Sequence, residues 1–408
     1  MTIAVIGAGA SGMMAALQAA WNGGDVTLFE SNPAVGRKLL VTGSGRCNIT
    51  NDAAAAAAYT CADQSWMEAV LSQFGVQDLL GTLSKIGILV YKTSDGWYYP
   101  LSNSAHTVVD AFSSALQSAN VKICTSTRVS SILHNGEHFS VRFSQDGKEQ
   151  EKAFDAVIVS AGGTAYPSLG SRGELFPALE RLGHVVQPNR PALAPILAEL
   201  GNLLPLQGVR LDMGVTLWNG SQPVAATAGN AIFTEWGLNG PAVMDISHSV
   251  TALPQANLEL SLDLLAFFRD EFEHLLAQKR NTSLPLRVFL GAFFPPKVVT
   301  IYLKNAHLPE DILLERVSDR ALEALVEKLK NTRLRVKGVR GFEYCQISAG
   351  GVRVTEVDAH TLESRRVKGL FLTGETLDVV GPCGGYNLQF AFSSGAIASK
   401  AAASRSGS

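Results

Sequence analysis

Cysteine is scarce in this chain and forms no motif. The five residues, Cys47, Cys61, Cys124, Cys345 and Cys383, are odd in number and contain no CxxC pair. That pattern argues against a disulfide framework and against a structural zinc site. Charge is also sparse. Only 17% of residues are charged and the net charge is −2, so no basic field for nucleic acid or an anionic membrane is expected. No run of 18 apolar residues occurs, which predicts no membrane-spanning helix. Nucleophile triads and paired-carboxylate motifs are missing as well. A strand-like run begins at Thr2, which leaves no room for a leader peptide and predicts a cytoplasmic protein.

What the chain does contain is apolar material, 46% of 408 residues, enough for more than one core. The most informative stretch runs from Thr2 to Glu30. Ile3 to Ile6 form a continuous apolar run suited to a buried parallel strand, and Gly7-x-Gly9-x-x-Gly12 follows at once. A helical stretch, Met13 to Trp21, and a second strand-like run, Val26 to Phe29, come next. Gly7 permits a tight turn, Gly9 lets the backbone approach a pyrophosphate, and Gly12 lets the helix press on the strand. The helix start then offers N–H groups to phosphate. Glu30, 18 positions after Gly12, stands where an acidic residue accepts hydrogen bonds from an adenosine ribose. Glycines alone leave NAD and FAD equally open.

Beyond Glu30 lies a glycine-rich, basic segment from Val35 to Asn51. Arg37, Lys38 and Arg46 supply charge-assisted donors there, and Gly43 and its neighbours offer backbone N–H at close range. Helices are predicted around Trp66 to Phe74, Leu79 to Leu83 and Asn103 to Ala119. The cluster Trp97-Tyr98-Tyr99 suits a pocket wall or a core equally well. Val121 to Ile132 and Phe139 to Phe143 read as strands joined by an Asn135-Gly136 turn. Asp155 to Gly163 is another buried strand breaking into a glycine turn beside Ala161, Gly162 and Gly163, and a helix is predicted from Arg172 to Gly183.

The character changes near residue 189, where prolines break up any long helix. The predicted organisation is a first cofactor-domain segment at 1–188, an inserted β part at 189–265 and 331–345, an inserted helical part at 266–330, and a second cofactor-domain segment at 346–408. Leu264 to Leu276 and Pro309 to Leu329 show helical periodicity. At the end, Gly369 to Glu375 forms a short strand and a Gly374-Glu375 turn. Gly384-Gly385-Tyr386-Asn387-Leu388 then introduces a last helix, Phe390 to Ala403, whose N-terminus suits the electron-rich pyrimidine end of a flavin. Two nucleotide-facing ends of one chain favour a long FAD lying between them.

These segments together resemble the aminoacetone-oxidase-like, BaiN-type family of bacterial FAD-dependent oxidoreductases. The likeness rests on GAGASGMMAA, GRKLLVTGSGRCNITN, GWYYPLSNSA, SAGGTAYPSLGSRGE, IFTEWGLNGPAVMDIS and GLFLTGETLDVVGPCGGYNLQFAFSSG. It implies an α/β two-dinucleotide-binding-domain flavoprotein: a discontinuous Rossmann-like FAD domain with a β-barrel-like and a small helical insertion. It also implies FAD contacts from Gly9, Ala10, Ser11, Glu30, Lys38, Thr42, Arg46, Ala161, Gly162, Gly374, Glu375 and Asn387. Cys47, Asn48, Val129, Tyr386 and Leu388 join the candidate cofactor contacts. Around Glu235 and along Val380 to Cys383 the chain departs from the family's usual residues, so the likeness carries no substrate.

A flavin brings its own redox chemistry and the protein orients it. The expected activity is hydride exchange between flavin N5 and a small or cyclic organic substrate, with NAD(P)H as a transient donor or oxygen as acceptor. No second GxGxxG is evident. Glu235 is a candidate acid or base, because a carboxylate held in an apolar turn would have a raised pKa; a surface position is the plainer alternative. Cys47 and Cys383 are either redox partners of the ring or small packed residues. His106, His184 and His248 are read as residues satisfying local hydrogen bonds. Two rival functions remain: a flavin-binding redox sensor without turnover, and an RNA-modifying flavoenzyme. No metal is expected, and the oligomeric state is left open.

Overall fold

Five parallel strands form the sheet that organises one part of the molecule. The computed structural model describes residues 1–254 and 257–405. In spatial order the strands are Leu370–Leu372, Ala156–Val159, Thr2–Ile6, Asp25–Phe29 and Lys122–Cys124, and every neighbouring pair is parallel. Such strands are covered on both faces, which is why Ile3 to Val5 and Ala156 to Val159 are apolar at each position and fully buried. The order reverses at Thr2–Ile6. The chain first builds outward to Asp25–Phe29 and Lys122–Cys124, then returns to lay Ala156–Val159 and Leu370–Leu372 on the other side. In register, Ile6 lies beside Phe29 and Val159, and Val159 beside Leu372. The loops beginning at Gly7, Glu30, Ser160 and Thr373 therefore leave from one carboxyl edge at a topological switch point, where open α/β sheets bind ligands.

Several local expectations are corrected. The apolar run from Val121 to Ile132 is two strands in two sheets, Lys122–Cys124 and Thr127–His134. They are divided at Ser126, whose φ of 50° is left-handed. Thr127–His134 belongs to an antiparallel sheet with Phe139–Gln145 and Lys148–Phe154. The last of these, KEQEKAF, is an edge strand with polar residues on both faces, so alternation gave no sign of it. Helix starts also move. The first helix is Ala10–Trp21 and the last is Tyr386–Ser404, both beginning directly at their glycine turns. The helix expected from Arg172 is shorter, Phe176–Arg181.

The chain divides into two compact units, Met1–Arg190 with Phe342–Ser408, and Pro191–Gly341. The second contains a closed six-stranded barrel built from Ile196–Ala198, Arg210–Asn219, Gln222–Phe233, Gly237–Asn239, Leu258–Asp263 and Thr332–Val339. Its helices include Arg269–Lys279, Leu286–Gly291, Pro296–Asn305 and Asp319–Lys330. Barrel and helices share one core, in which Leu260 and Leu262 join Phe272, Phe289 and Leu325. The periodic span from Pro309 holds a 3₁₀ turn at Leu314–Arg316 and becomes α-helical at Asp319, where Ser318 Oγ caps the start by accepting from Ala321 N–H at 3.3 Å.

Candidate functional site

The three glycines of the first loop are required for different reasons. Gly7 has φ of 100°, and a Cβ there would stand 2.5 Å from the Ser160 carbonyl oxygen. At Gly12 a Cβ would overlap the Gly7 carbonyl, so the helix start rests on the loop. Gly9 is different: its φ of −78° suits any residue, and a Cβ there would meet no protein atom within 4 Å. No neighbour among the described residues demands glycine at that position. The open space beside it is what close approach of a pyrophosphate requires. No side chain caps the helix that follows, and the first helical bond in this turn runs from Met13 N–H to the Gly9 carbonyl. The preceding N–H groups are thus free of helical bonds and suited to phosphate. The Ser11 side chain is buried beneath Gly374, where a Cβ would lie 2.6 Å from Ser11 Oγ. Gly395 of the last helix packs against the Ser11 carbonyl in turn.

Glu30 ends the second strand and is 8% exposed. Its Oε2 accepts from Ala8 N–H at 2.9 Å, while Oε1 accepts from Asn32 N–H at 2.8 Å, Asn32 Nδ2 at 2.7 Å and Ser31 Oγ at 3.4 Å. A carboxylate oxygen accepts about two bonds, so Oε2 retains capacity for a ribose hydroxyl. Asn32 Oδ1 in turn receives Arg37 Nη1 at 2.6 Å, and Thr127 N–H donates to the Glu30 carbonyl at 2.8 Å. Val129 lies two residues beyond, buried in the strand paired with Phe143. Lys38 Nζ reaches Glu375 Oε2 at 2.6 Å, and Ser348 donates to Glu375 Oε1 from its N–H at 2.8 Å and its hydroxyl at 3.0 Å. Gly163 is packed against both Ser348 and Glu375, while Ala161 and Gly162 are partly exposed at the end of their strand.

The basic loop over Leu39–Gly45 is two short helical turns separated by a kink, in which Thr42 is extended and Gly43 and Ser44 are left-handed. Thr42 Oγ1 donates to the Leu39 carbonyl at 2.7 Å. Arg46 lies exposed with its guanidinium 4.5 Å from the Tyr99 ring centroid; Nε donates to the Gly43 carbonyl at 3.3 Å and Nη2 to the Tyr99 hydroxyl at 3.4 Å, which leaves the Nη1 donors for a ligand. Asn48 is 7% exposed, and its Oδ1 has no hydrogen-bond partner among the described residues. A buried acceptor without a donor is costly, and a donor on a bound cofactor would satisfy it.

The C-terminal glycine turn meets this segment directly. Gly385 has φ of 98°, and a Cβ there would lie 2.6 Å from Thr50 carbonyl atoms; one on Gly384 would lie 2.9 Å from Trp97 Nε1. Thus Trp97 flanks the turn, whereas Tyr99 is 2% exposed and belongs to the core. Residues 382–388 are all partly exposed. Asn387 uses its amide on the loop itself: Oδ1 accepts from Gly381 N–H, and Nδ2 donates to the Gly381 carbonyl, each at 2.8 Å. The side chain therefore shapes the turn. The Tyr386 carbonyl accepts from Tyr59 Oη at 2.8 Å, and Leu388 is partly exposed.

Two chemical candidates lose support. Cys47 is 0% exposed, and burial pushes its thiol up to about 12, so it is a packed residue rather than a redox thiolate. Glu235 belongs to the barrel unit and is exposed in the turn between Gln222–Phe233 and Gly237–Asn239, so the apolar setting expected for it does not exist. His184 is buried between Glu356 at 2.8 Å and Ser364 Oγ at 2.9 Å, satisfying local hydrogen bonds. The residues missed are Thr50 and Gln389, whose side chains bond to each other beside the C-terminal turn; Thr50 and Trp97 flank that turn from the far end of the sequence.

The glycine loop with its open side, the acid at the ribose position and the unpaired Asn48 acceptor fit FAD. No helix among the described residues is long and apolar enough to cross a membrane. A family description, HI0933-like protein Rossmann domain, matches residues 1–401. A 3-dehydro-bile acid delta(4,6)-reductase from Clostridium scindens is 36% identical over 99% of this chain and 99% of its own. A ribosomal RNA dihydrouridine synthase from Escherichia coli is 29% identical over 96% of this chain and 95% of its own. In fold, the chain is similar to a 3-ketosteroid-delta4-(5alpha)-dehydrogenase from Rhodococcus jostii RHA1, with a TM-score of 0.53 at 15% identity over 99% of this chain and 96% of that one. Sheet topology, barrel and end-to-end likeness agree with the resemblance carried by the motifs: the chain belongs to the HI0933-like Rossmann family and is a BaiN-type FAD-dependent oxidoreductase.

Proposed function

We propose that this protein is a reductase of a carbon–carbon double bond conjugated to a carbonyl group in a small cyclic molecule. The observation that carries the reading is its 36% identity, end to end, with a delta(4,6)-reductase of a 3-dehydro bile acid. A 3-oxo group next to ring unsaturation makes the distant alkene carbon electrophilic, so that it accepts a hydride while the carbonyl takes up the charge. Bound FAD supplies that hydride exchange at flavin N5.

The chain's own residues hold and orient the cofactor. Backbone N–H groups at Gly9 to Ser11 would hold the pyrophosphate and Glu30 Oε2 the ribose, and Lys38 and Arg46 would supply positive charge. Asn48 Oδ1, unpaired and buried, would accept from a cofactor N–H. In this reading NAD(P)H binds transiently and reduces the flavin.

A second reading, reduction of a uracil ring in RNA, is favoured by relatives named ribosomal RNA dihydrouridine synthase at 29% and 28% identity. Uracil also has a double bond conjugated to a carbonyl. The net charge of −2 provides little attraction for RNA.

The test is anaerobic reduction of the purified yellow protein with NADH and NADPH, followed by addition of cyclic enones or of unmodified ribosomal RNA. Flavin reoxidation by enones, with two hydrogens gained by mass, supports the first reading. Dihydrouridine formed in RNA without enone turnover replaces it with the second. A flavin that reduces and is reoxidised by neither marks a redox sensor.

A further inference from the structure

Gln389 is 0% exposed, in the first turn of the helix that follows the C-terminal glycines. A fully buried amide is expensive unless each of its groups is bonded. Here a small network of hydrogen bonds satisfies it, including a long one from Gln389 Nε2 to the Phe74 carbonyl at 3.5 Å. Ser393 Oγ donates to the Phe74 carbonyl at 2.7 Å, so its oxygen accepts from Gln389 Nε2 at 2.9 Å. The amide is thereby oriented, and Gln389 Oε1 must face the Thr50 hydroxyl, which donates to it at 2.5 Å.

Thr50 is two residues from Asn48 with its unpaired buried oxygen. Gly385, at the helix start, lies against the Thr50 backbone with no room for a Cβ. Asn51 Nδ2 donates to the Gly384 carbonyl at 3.1 Å beside this contact. The Thr50–Gln389 bond thus joins two segments that the flavin reading places around one cofactor, Arg46–Asn51 and 384–388. A leucine would fill similar space without desolvating an amide, so packing alone gives no reason for glutamine.

We propose that Gln389 is a positioning residue for the flavin, acting through Thr50 to set the spacing between the Asn48 segment and the C-terminal glycine turn. This rests on the FAD reading of the same site. The buried network makes the spacing a matter of bond geometry, which soft apolar packing would leave variable.

The test uses the full chain and the variants Thr50→Val, Gln389→Leu and the double variant. Three quantities are measured: FAD affinity of the apoprotein, the visible spectrum and midpoint potential of the bound flavin, and the urea midpoint. Thr50→Val removes only a hydroxyl while keeping shape, so it remains informative if Gln389→Leu does not fold. The expected result is FAD binding about 10-fold weaker, with a shifted spectrum and potential, together with a lowered urea midpoint, because each single variant leaves one buried partner of the Thr50–Gln389 bond unsatisfied. The double variant should lose no more than either single one, because both break the same bond. Wild-type affinity, spectrum and potential in Thr50→Val would overturn the positioning role while leaving the FAD reading intact. A change in the urea midpoint alone would overturn it too. Failure of the parent protein itself to bind FAD would overturn both.

Discussion

Lys38 Nζ stands 2.6 Å from Glu375 Oε2 across 337 residues of sequence. The lysine comes from the basic loop after the second strand and the glutamate from the turn after the last strand of the sheet. With Ser348 holding the other carboxylate oxygen, the pair ties together two loops that leave the same sheet edge. Its side chains are 22% and 16% exposed, so the bond is only partly screened by solvent.

Replacing Lys38 with Met removes a cation near the cofactor and leaves Glu375 without its ammonium partner. The expected outcome is FAD binding weaker by roughly 10-fold, about 1.4 kcal/mol. Glu375→Gln keeps an acceptor for Ser348 and should cost less. Titration of apoprotein with FAD, followed by flavin fluorescence, measures both, and equal affinity in all three proteins would reduce the pair to a structural tie.

The glycine loop predicts opposite behaviour for two similar substitutions. Gly9→Ala fits the backbone and meets no protein atom, so stability should change by less than ~0.5 kcal/mol. It should nonetheless weaken FAD binding by 10-fold or more, because the methyl group occupies the space of the pyrophosphate. Gly12→Ala drives a Cβ into the Gly7 carbonyl and should destabilise the fold by roughly 3 kcal/mol or more. Urea unfolding of the apoproteins and FAD titration, run side by side, separate the two effects. An apo Gly9→Ala protein as unstable as Gly12→Ala would contradict the role given to the open side of Gly9.

This loop was legible because strand, glycines, helix and acid follow one another within thirty residues, each with a local reason for its identity. Lys38–Glu375 and Thr50–Gln389 had no such signal, since each pair is made by strand order over more than 300 residues. The break at Ser126 was hidden for another reason. Apolar alternation runs on through it while the strand changes sheets, and a left-handed serine has no sequence mark of its own. Lys148–Phe154 failed the alternation test because an exposed edge strand need not bury either face. At Glu235 the apolar and glycine neighbours leave two settings open, an apolar turn or the surface, and the fold selects the exposed one.

Cys47 should be chemically silent in the folded protein. Its thiol is fully buried and pushed up to about 12 by that burial, with the bond to Thr42 opposing the shift. At pH 8 its alkylation by iodoacetamide should be at least ~100-fold slower in the native protein than after unfolding, since thiolate is the reactive form. Peptide mapping by mass spectrometry reads this at Cys47 itself. Rapid native labelling there would reopen a redox role.

The His184–Glu356 pair predicts how stability depends on pH. Burial lowers the His184 pKa below its ordinary 6.5, even though Glu356 acts to raise it. Neutral His184 then donates from Nδ1 to Glu356 and accepts at Nε2 from Ser364. The unfolded chain takes up this proton at higher pH than the folded one, so the contribution is complete above about pH 6.5 and is lost as pH falls from there. Burial also works to raise the Glu356 carboxyl, but donors from Arg366, His184 and Val185 N–H outweigh it and hold the group at about 2, against an ordinary 4.5. Its contribution is present above about pH 4.5 and is lost as pH falls toward 2. The two losses share a sign and occupy successive windows. Unfolding free energy should therefore fall as pH drops below about 6.5, by up to about 1.4 kcal/mol per pH unit, and again below pH 4.5. His184→Gln should flatten the upper window, measured as the difference from the parent so that the other histidines cancel, while Glu356→Gln should flatten the lower one. Removing either partner should cost about 2–4 kcal/mol at pH 7, because the group left behind is buried without its partner. An upper window unchanged in His184→Gln would place that titration on another residue.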